Sequence, residues 1–292
     1  MKKDTMQIHS QIANSVMYYI YQHIATNINV DELAKMHSLS KFHFHRIFKE
    51  QIGMNIYETI KSIRLQKAAN LLLTNTHSTI TEIANQCGYS SQTSFIRAFK
   101  ERFEVSPKVW RKGGFKNYSN QILQSSPTAS LSLADYSLLE PKIIKTEDQV
   151  AYYVRHKGYN YEIKKSWQKL QAWVYGNNIT EYKEIGIYHD NPIVTPLKEC
   201  YYIAATVPLS KTKLQKSVLS SFTIPAGLYA TFEVKGKYGD ILKLIQWAYH
   251  EWLPKSGFET TTQPSYTEFY TNHFLSDKGE FHVKYFLPIQ LI

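Results

Sequence analysis

The chain writes one local pattern twice within its first hundred residues, and that repetition constrains the fold more than any other feature. Val30-Asp31-Glu32-Leu33-Ala34 returns as Ile80-Thr81-Glu82-Ile83-Ala84, fifty residues on. Phe44-x-Arg46-x-Phe48-Lys49-Glu50 then returns as Phe95-x-Arg97-x-Phe99-Lys100-Glu101, with one residue more in the turn between. Both copies keep helical period. At about 100° per residue, Phe44, Ile47 and Phe48 share one face of a helix beginning at Lys41, while Phe42, His45, Arg46 and Lys49 collect on the other. In the second copy Phe95 and Phe99 point inward. Thr93, Arg97 and Lys100 point outward, with Gln92 and Ser94 at the helix start.

Helix starts punctuate this region, and residues 8–112 read as helix after helix. Thr79-Ile80-Thr81-Glu82 is a capping box, and Asn29 with Glu32 and Asn55 with Glu58 follow the same logic. Ser106-Pro107 sets a capping hydroxyl before a proline at the first helical position. Between the copies the spacing predicts a long helix over about 55–74. One stripe holds Ile56, Ile60, Ile63 and Leu71, and another holds Tyr57, Leu65, Ala68 and Leu72. A helix apolar on two sides is expected to be packed by two units, one from each side.

Either outward face alone reads as an ordinary solvated helix surface. Two copies, each with a turn, a buried Phe pair and an outward Arg, point instead to paired helix-turn-helix units. Such helices fit a major groove, where Arg46 can reach guanine edges and Phe42 a thymine methyl. Some twenty residues of bridging helix span roughly 30 Å, near the ~34 Å that brings successive major grooves to one face of DNA. Charge agrees. The net charge is +10, and residues 1–113 carry 15 Lys or Arg against 8 Asp or Glu. The smaller N-terminal part thus holds most of the basic excess that a polyanion would meet.

Residues 114–140, which take in most of GGFKNYSNQILQSSPTASLSL, read as a flexible polar linker between a DNA-binding domain at 1–113 and a second domain at 141–292. After Pro141 the texture turns to β: VAYYV, CYYIAATV, YATFEV, SYTEFY and FHVKYFLPI. A second repeat appears here. Lys157-Gly158 with Trp167 and Leu170 is answered by Lys235-Gly236 with Ile245 and Ala248, and ATVPL by YFLPI. The expected fold is an all-α domain of two helix-turn-helix units bridged by a long helix, plus an α+β domain of two pseudo-symmetric βαββ units.

Other chemistry is sparse. No apolar run reaches membrane-span length, and the start MKKDTMQIHSQ has no apolar stretch of a leader, so a cytoplasmic protein is expected. Cys87 and Cys200 lack the spacing of a disulfide framework or a metal site. His43-x-His45 cannot aim both rings at one ion from a helix. His189-Asp190 reads as shaping a turn. With no phosphate-binding glycine loop, nucleophile elbow or zinc-protease motif, neither catalytic residues, cofactor nor metal is expected.

The segments LSKFHFHRIFKEQIGMNIYETIKSIRLQKAANLL and TITEIANQCGYSSQTSFIRAFKERFEVSPKVWRK resemble the DNA-binding domain of AraC/XylS-family regulators, in their MarA/SoxS/Rob-like branch. The resemblance implies base contacts from Phe42, His45 and Arg46 in the first recognition helix, and from Gln92, Thr93, Ser94 and Arg97 in the second. It also implies an activator that binds double-stranded DNA beside RNA polymerase. Phe stands where close relatives carry Trp, and His where they carry Gln, which leaves the DNA sequence open. VAYYVRHKGYNYEIKKSWQKLQAWV, GIYHDNPIVTP, CYYIAATVPL, IPAGLYATFEVKGKYGDILKLIQWAYHEWL and EFHVKYFLPI resemble the effector-binding domain of gyrase-inhibitor-like and BmrR-type proteins. There a late-strand Glu after a Pro meets cationic aromatic effectors, a position that falls on Glu268. On a strand Tyr266, Glu268 and Tyr270 share one face, so the carboxylate lies between two rings. The rival readings are a solvated strand face, a hydrolase built on a Glu and a Tyr, and a protein-interaction module without ligand.

Overall fold

The computed structural model describes residues 2–209 and 218–292. The N-terminal part is helical: α1 (Lys2–Gln22), α2 (Val30–Met36), α3 (Lys41–Ile52), α4 (Ile56–Thr74), α5 (Ile80–Gln86) and α6 (Gln92–Phe103). The caps sit where the sequence writes them. Asn29 accepts from the Asp31 and Glu32 amides, Asn55 from Glu58, and Thr79 and Glu82 close a reciprocal box. Ser40 and Ser91 cap α3 and α6.

The two turns explain the one-residue slip in the repeat. Ser38 and Gly88 stand at matching positions after α2 and α5, both left-handed at φ 55° and 77°. Ser90 is then the extra residue before the second cap. Glycine is required at 88, because a Cβ there would lie 2.4 Å from the Ile24 carbonyl and 2.7 Å from the Arg64 guanidinium. That guanidinium is held by the Ile24 and Thr26 carbonyls and ties α4 to the end of α1.

α4 joins two cores. Ile56, Ile60 and Ile63 pack with Phe44, Phe48 and the inner face of α1, whereas Leu65 to Leu73 pack with Phe95, Phe99, Phe103 and Trp110. Tyr57, expected in the second stripe, is instead 55% exposed. It shares the direction of Leu65 and Leu72 but lies before the turns that the second unit covers. A third side of α4 is buried as well. Lys67 donates to the Thr262 carbonyl, Asn75 to the Thr260 carbonyl, and Asn191 to Asn70.

The stretch expected to be a flexible linker is folded. After α7 (Pro107–Val109) and a wider turn over Trp110–Gly114 come α8 (Phe115–Gln124) and α9 (Pro127–Ser130). Phe115, Ser119, Ile122 and Leu123 are buried, at the 0, 4, 7, 8 spacing of a helix stripe. Polar residues on the remaining faces hide that stripe in the composition. Phe115 and Tyr118 pack on Trp110, and Gln246 donates to Ser119 and Asn120 across the connection.

The C-terminal half runs β1 (Lys142–Thr146), β2 (Gln149–Lys157), α10 (Ile163–Gly176), β3 (Tyr182–Tyr188), β4 (Tyr201–Pro208), β5 (Ser220–Ile224), β6 (Gly227–Lys237), α11 (Asp240–Trp247), β7 (Phe258–Thr260), β8 (Ser265–Thr271) and β9 (Glu280–Leu291). Among the described residues the strands form one antiparallel sheet, ordered β1-β6-β9-β8-β3-β4-β2-β5, with β7 beside β9. β3 and β8 pair at its centre. The connections β1–β2 and β5–β6 are bonded to each other, Ala226 N–H to Asp148, so the outermost strands are tied together at one end. The sheet is buried on both faces. Trp167, Leu170, Ile245 and Ala248 of the helical segments cover one, and Tyr153, Ile185, Ile203, Tyr229, Tyr266 and Phe286 fill the other. The core beneath the helices continues into the N-terminal half through Trp110, Leu72 and Phe99. No helix among the described residues is long and apolar enough to cross a membrane.

Candidate nucleic-acid interface and effector face

The outward faces of α3 and α6 follow from the caps that start them and the phenylalanines that bury their backs. Phe44, Ile47 and Phe48 are at most 1% exposed, while Phe42 on the other face is 80% exposed. Arg46 and Lys49 are exposed, and the Arg46 guanidinium lies 4.0 Å from the Glu50 carboxylate. Such an exposed pair holds the guanidinium weakly. His45 is half-buried with its ring 5.7 Å from Tyr57. Tyr57 therefore adds a ring to this face, which sequence reasoning had assigned to the core.

On α6, Gln92, Thr93, Ser94, Arg97 and Lys100 are all exposed. The Ser94 hydroxyl donates to the Ser91 carbonyl at 2.9 Å, which leaves it an acceptor toward the outside. Lys61 of α4 pairs with Glu101 at 2.9 Å, and this pair lowers the Glu101 carboxyl below its ordinary range. Arg97 and Lys100 face outward, and among the described residues no carboxylate is bonded to either.

In the C-terminal half, Tyr266, Glu268 and Tyr270 meet different surroundings. Tyr266 is 1% exposed and stacks on Phe286 at 4.4 Å; burial pushes its phenol well up. Glu268 is largely buried and meets the Lys183 ammonium at 3.0 Å. Tyr270 lies at a bulge, is about half exposed, and has its ring 4.7 Å from His282 with the Lys284 ammonium 6.0 Å away. The expected carboxylate between two rings thus already has a cation, and only one ring is open to solvent. Sequence reasoning missed Glu184, on the opposite face of the same strand pair. Burial raises its pKa, against the Asn272 amide that donates to it at 2.9 Å.

Between the halves lies a polar seam that no motif announced. Asp190 is 2% exposed and accepts the Tyr201 N–H at 2.6 Å. Lys67 is 6% exposed, with its ammonium 5.8 Å from the Tyr21 ring. The His189 ring lies 3.9 Å from Tyr21. Arg155 donates to Asn14 at 3.1 Å, and the Tyr201 hydroxyl to the Ile52 carbonyl at 2.8 Å. The turn that His189-Asp190 was expected to shape is held in this way, and it also forms part of a junction.

The architecture is a helical N-terminal region packed around α4, joined to a C-terminal domain built on one antiparallel sheet. A helix-turn-helix domain model matches residues 33–113, and a GyrI-like small molecule binding domain model matches residues 139–290. The chain belongs to the AraC-type helix-turn-helix regulators that carry a C-terminal GyrI-like domain. It is 34% identical over 109 residues to the transposon Tn10 TetD protein of Escherichia coli, covering 37% of this chain and 78% of that protein. It is 36% identical over 95 residues to the xylose operon regulatory protein of Escherichia coli K12, covering 32% of this chain and only 24% of the regulator. Among solved structures, the C-terminal domain of AraT from Geobacillus stearothermophilus is 31% identical at a TM-score of 0.33, covering 35% of this chain and 84% of that one.

Proposed function

We propose that the chain is a one-component transcription regulator that reads double-stranded DNA through α3 and α6 in two successive major grooves. The observation that carries the reading is the pair of capped helices, each buried through phenylalanines and each presenting an exposed arginine outward. In this reading Phe42, His45, Arg46, Gln92, Thr93, Ser94 and Arg97 address base edges, and Lys49 and Lys100 address phosphates. Replacing Arg46 or Arg97 by Ala costs about 1–3 kcal/mol at the preferred site and relaxes base choice nearby. Replacing Lys49 by Ala weakens binding to all sequences and lowers the salt slope by about one. The measurement is fluorescence anisotropy on specific and random duplexes across a salt series. Equal loss on both duplexes for Arg46→Ala reassigns that residue to phosphate.

In the same reading the C-terminal half is a receptor for a small hydrophobic or cationic effector, and the outcome of binding is activation beside RNA polymerase. The two strand-helix-strand-strand runs, β2-α10-β3-β4 and β6-α11-β8-β9 with the short β7 inserted before β8, act as a duplicated pair meeting at β3 and β8. No catalysis is assigned. Glu268 selects charge by exchanging the Lys183 ammonium for that of the ligand, and Tyr270 supplies an open ring worth about 0.5–2 kcal/mol to a cation. Glu268→Gln keeps the shape, so it weakens aromatic cations and spares neutral analogues of equal size in a calorimetric panel. An unmutated protein that binds both classes equally removes Glu268 from the site.

A further inference from the structure

We propose that residues 189–201 set the spacing at which α3 and α6 address DNA, with Tyr201 and Glu199 as the spacing-determining residues. The inference rests on the two-groove reading above. It starts from where one short stretch of chain makes its contacts. The Tyr201 hydroxyl donates to the carbonyl of Ile52, the last residue of α3, at 2.8 Å. Arg102, in the last turn of α6, donates to Glu199 at 2.8 Å. Asn191 donates to Asn70 of the bridging helix at 3.0 Å. Both helices expected to enter DNA are therefore gripped at their C-terminal ends, and the helix joining them is gripped between.

The gripping stretch is itself stiff. Asp190 accepts the Tyr201 N–H, and the Gly158 and Tyr159 amides donate to the Cys200 and Leu197 carbonyls at 2.7 and 2.6 Å. Ile193, Val194 and Cys200 are at most 2% exposed. Without this brace, each helix-turn-helix unit is anchored chiefly through its own contacts with α4. With it, the three elements form a closed frame. One added base pair moves the second groove by about 3.4 Å and turns it by about 35° around the DNA axis. A closed frame follows such a displacement only by breaking a contact, whereas an open one follows by flexing. The grip thus converts the distance between half-sites into a term of specificity, at positions where no base is touched.

The test uses the full chain and the site it selects from random DNA, with the spacer between half-sites lengthened or shortened by one base pair. For the unmutated protein, either change lowers affinity by about tenfold or more, the scale of one mismatched base pair. For the double variant Tyr201→Phe with Glu199→Gln, the same changes cost at most about threefold, and affinity at the selected spacing falls by no more than the fold-change of one or two lost hydrogen bonds, about threefold to tenfold. A charge swap, Arg102→Glu with Glu199→Arg, restores the ion pair on a partly exposed surface and keeps the sharp spacing preference; Glu199→Arg alone relaxes it. A double variant as sharp as the unmutated chain overturns the assignment. An unmutated chain indifferent to spacing overturns both the assignment and the two-groove reading.

Discussion

Lys67 and Asp190 sit in the seam between the halves, and each carries its charge where water does not reach it. Burial lowers the Lys67 pKa to about 8, with Asp190 and Cys87 pulling it back up. Burial raises the Asp190 pKa to about 6, against the Tyr201 N–H and the charges of Lys67, Arg155 and Arg102. The signs follow by linkage. For Lys67 the native state disfavours the proton, so its cost is full below pH 8 and fades as pH rises toward the unfolded value near 10.5. For Asp190 the native state favours the proton, so its cost is full above pH 6 and fades as pH falls toward 3.8. Stability from this pair is lowest between pH 6 and 8. Lys67→Met removes the gain on the alkaline side and, by taking away the cation, moves the onset of the acid-side gain above pH 6. Urea midpoints at pH 5, 7 and 9 measure both limbs; parallel curves for variant and parent sink the account. Tyr21, Arg155 and His189 also face the seam, and they are common to both proteins in that comparison. None of this was legible in the sequence. Lys67 reaches its acceptor Thr262 across 195 positions, and no local pattern encodes a partner at that range.

At the scale of elements, what the sequence discloses divides by the distance over which each signal acts. Caps are bonds within four residues, so Asn29, Asn55, Thr79 and Ser106 were readable directly and each does cap its helix. The inner and outer faces of α3 and α6 are period alone, and they too were readable. Tyr57 shows where period stops sufficing: its angle matched the buried stripe, but burial also depends on how far along α4 the neighbour reaches. The connection failed for another reason. α8 has its stripe in four residues, one of them the polar Ser119, inside a run rich in Ser, Asn and Gln. Phe115 and Tyr118 lie against Trp110, whose indole N–H is held by the Ala69 carbonyl at 3.0 Å. α8 is thus part of the support of α4. A fragment of residues 1–125 is expected to unfold with about 2 kcal/mol more stability than one of residues 1–114, the worth of burying one large apolar side chain. Denaturant melts of the two fragments decide it, and equal midpoints would assign α8 to the C-terminal half. Of the proposed effector face, the strand placing Glu268 and Tyr266 on one side was legible from alternation. Lys183, which occupies Glu268, was not, because cross-strand register depends on long-range pairing.

At the scale of the whole molecule, α4 is the member that everything else is arranged around. Two sides carry the cores that hold α3 and α6, and the third is closed by Thr260, Thr262 and Asn191 from the far half of the chain. Relatives such as the xylose operon regulatory protein share this module over only 24% of their length. The third side of α4 bears on how interchangeable such a module is. Gln66, Lys67 and Thr74 are buried there without being apolar, so a transplanted copy facing a different neighbour would bring polar groups to a surface shaped for something else. A recombination event that moved residues 1–113 to a new sensor would inherit the ability to fold around phenylalanines but not the fit along that helix. A change along that side of α4 is therefore expected to call for a matching change at Asn191, Thr260 or Thr262, the residues that meet it.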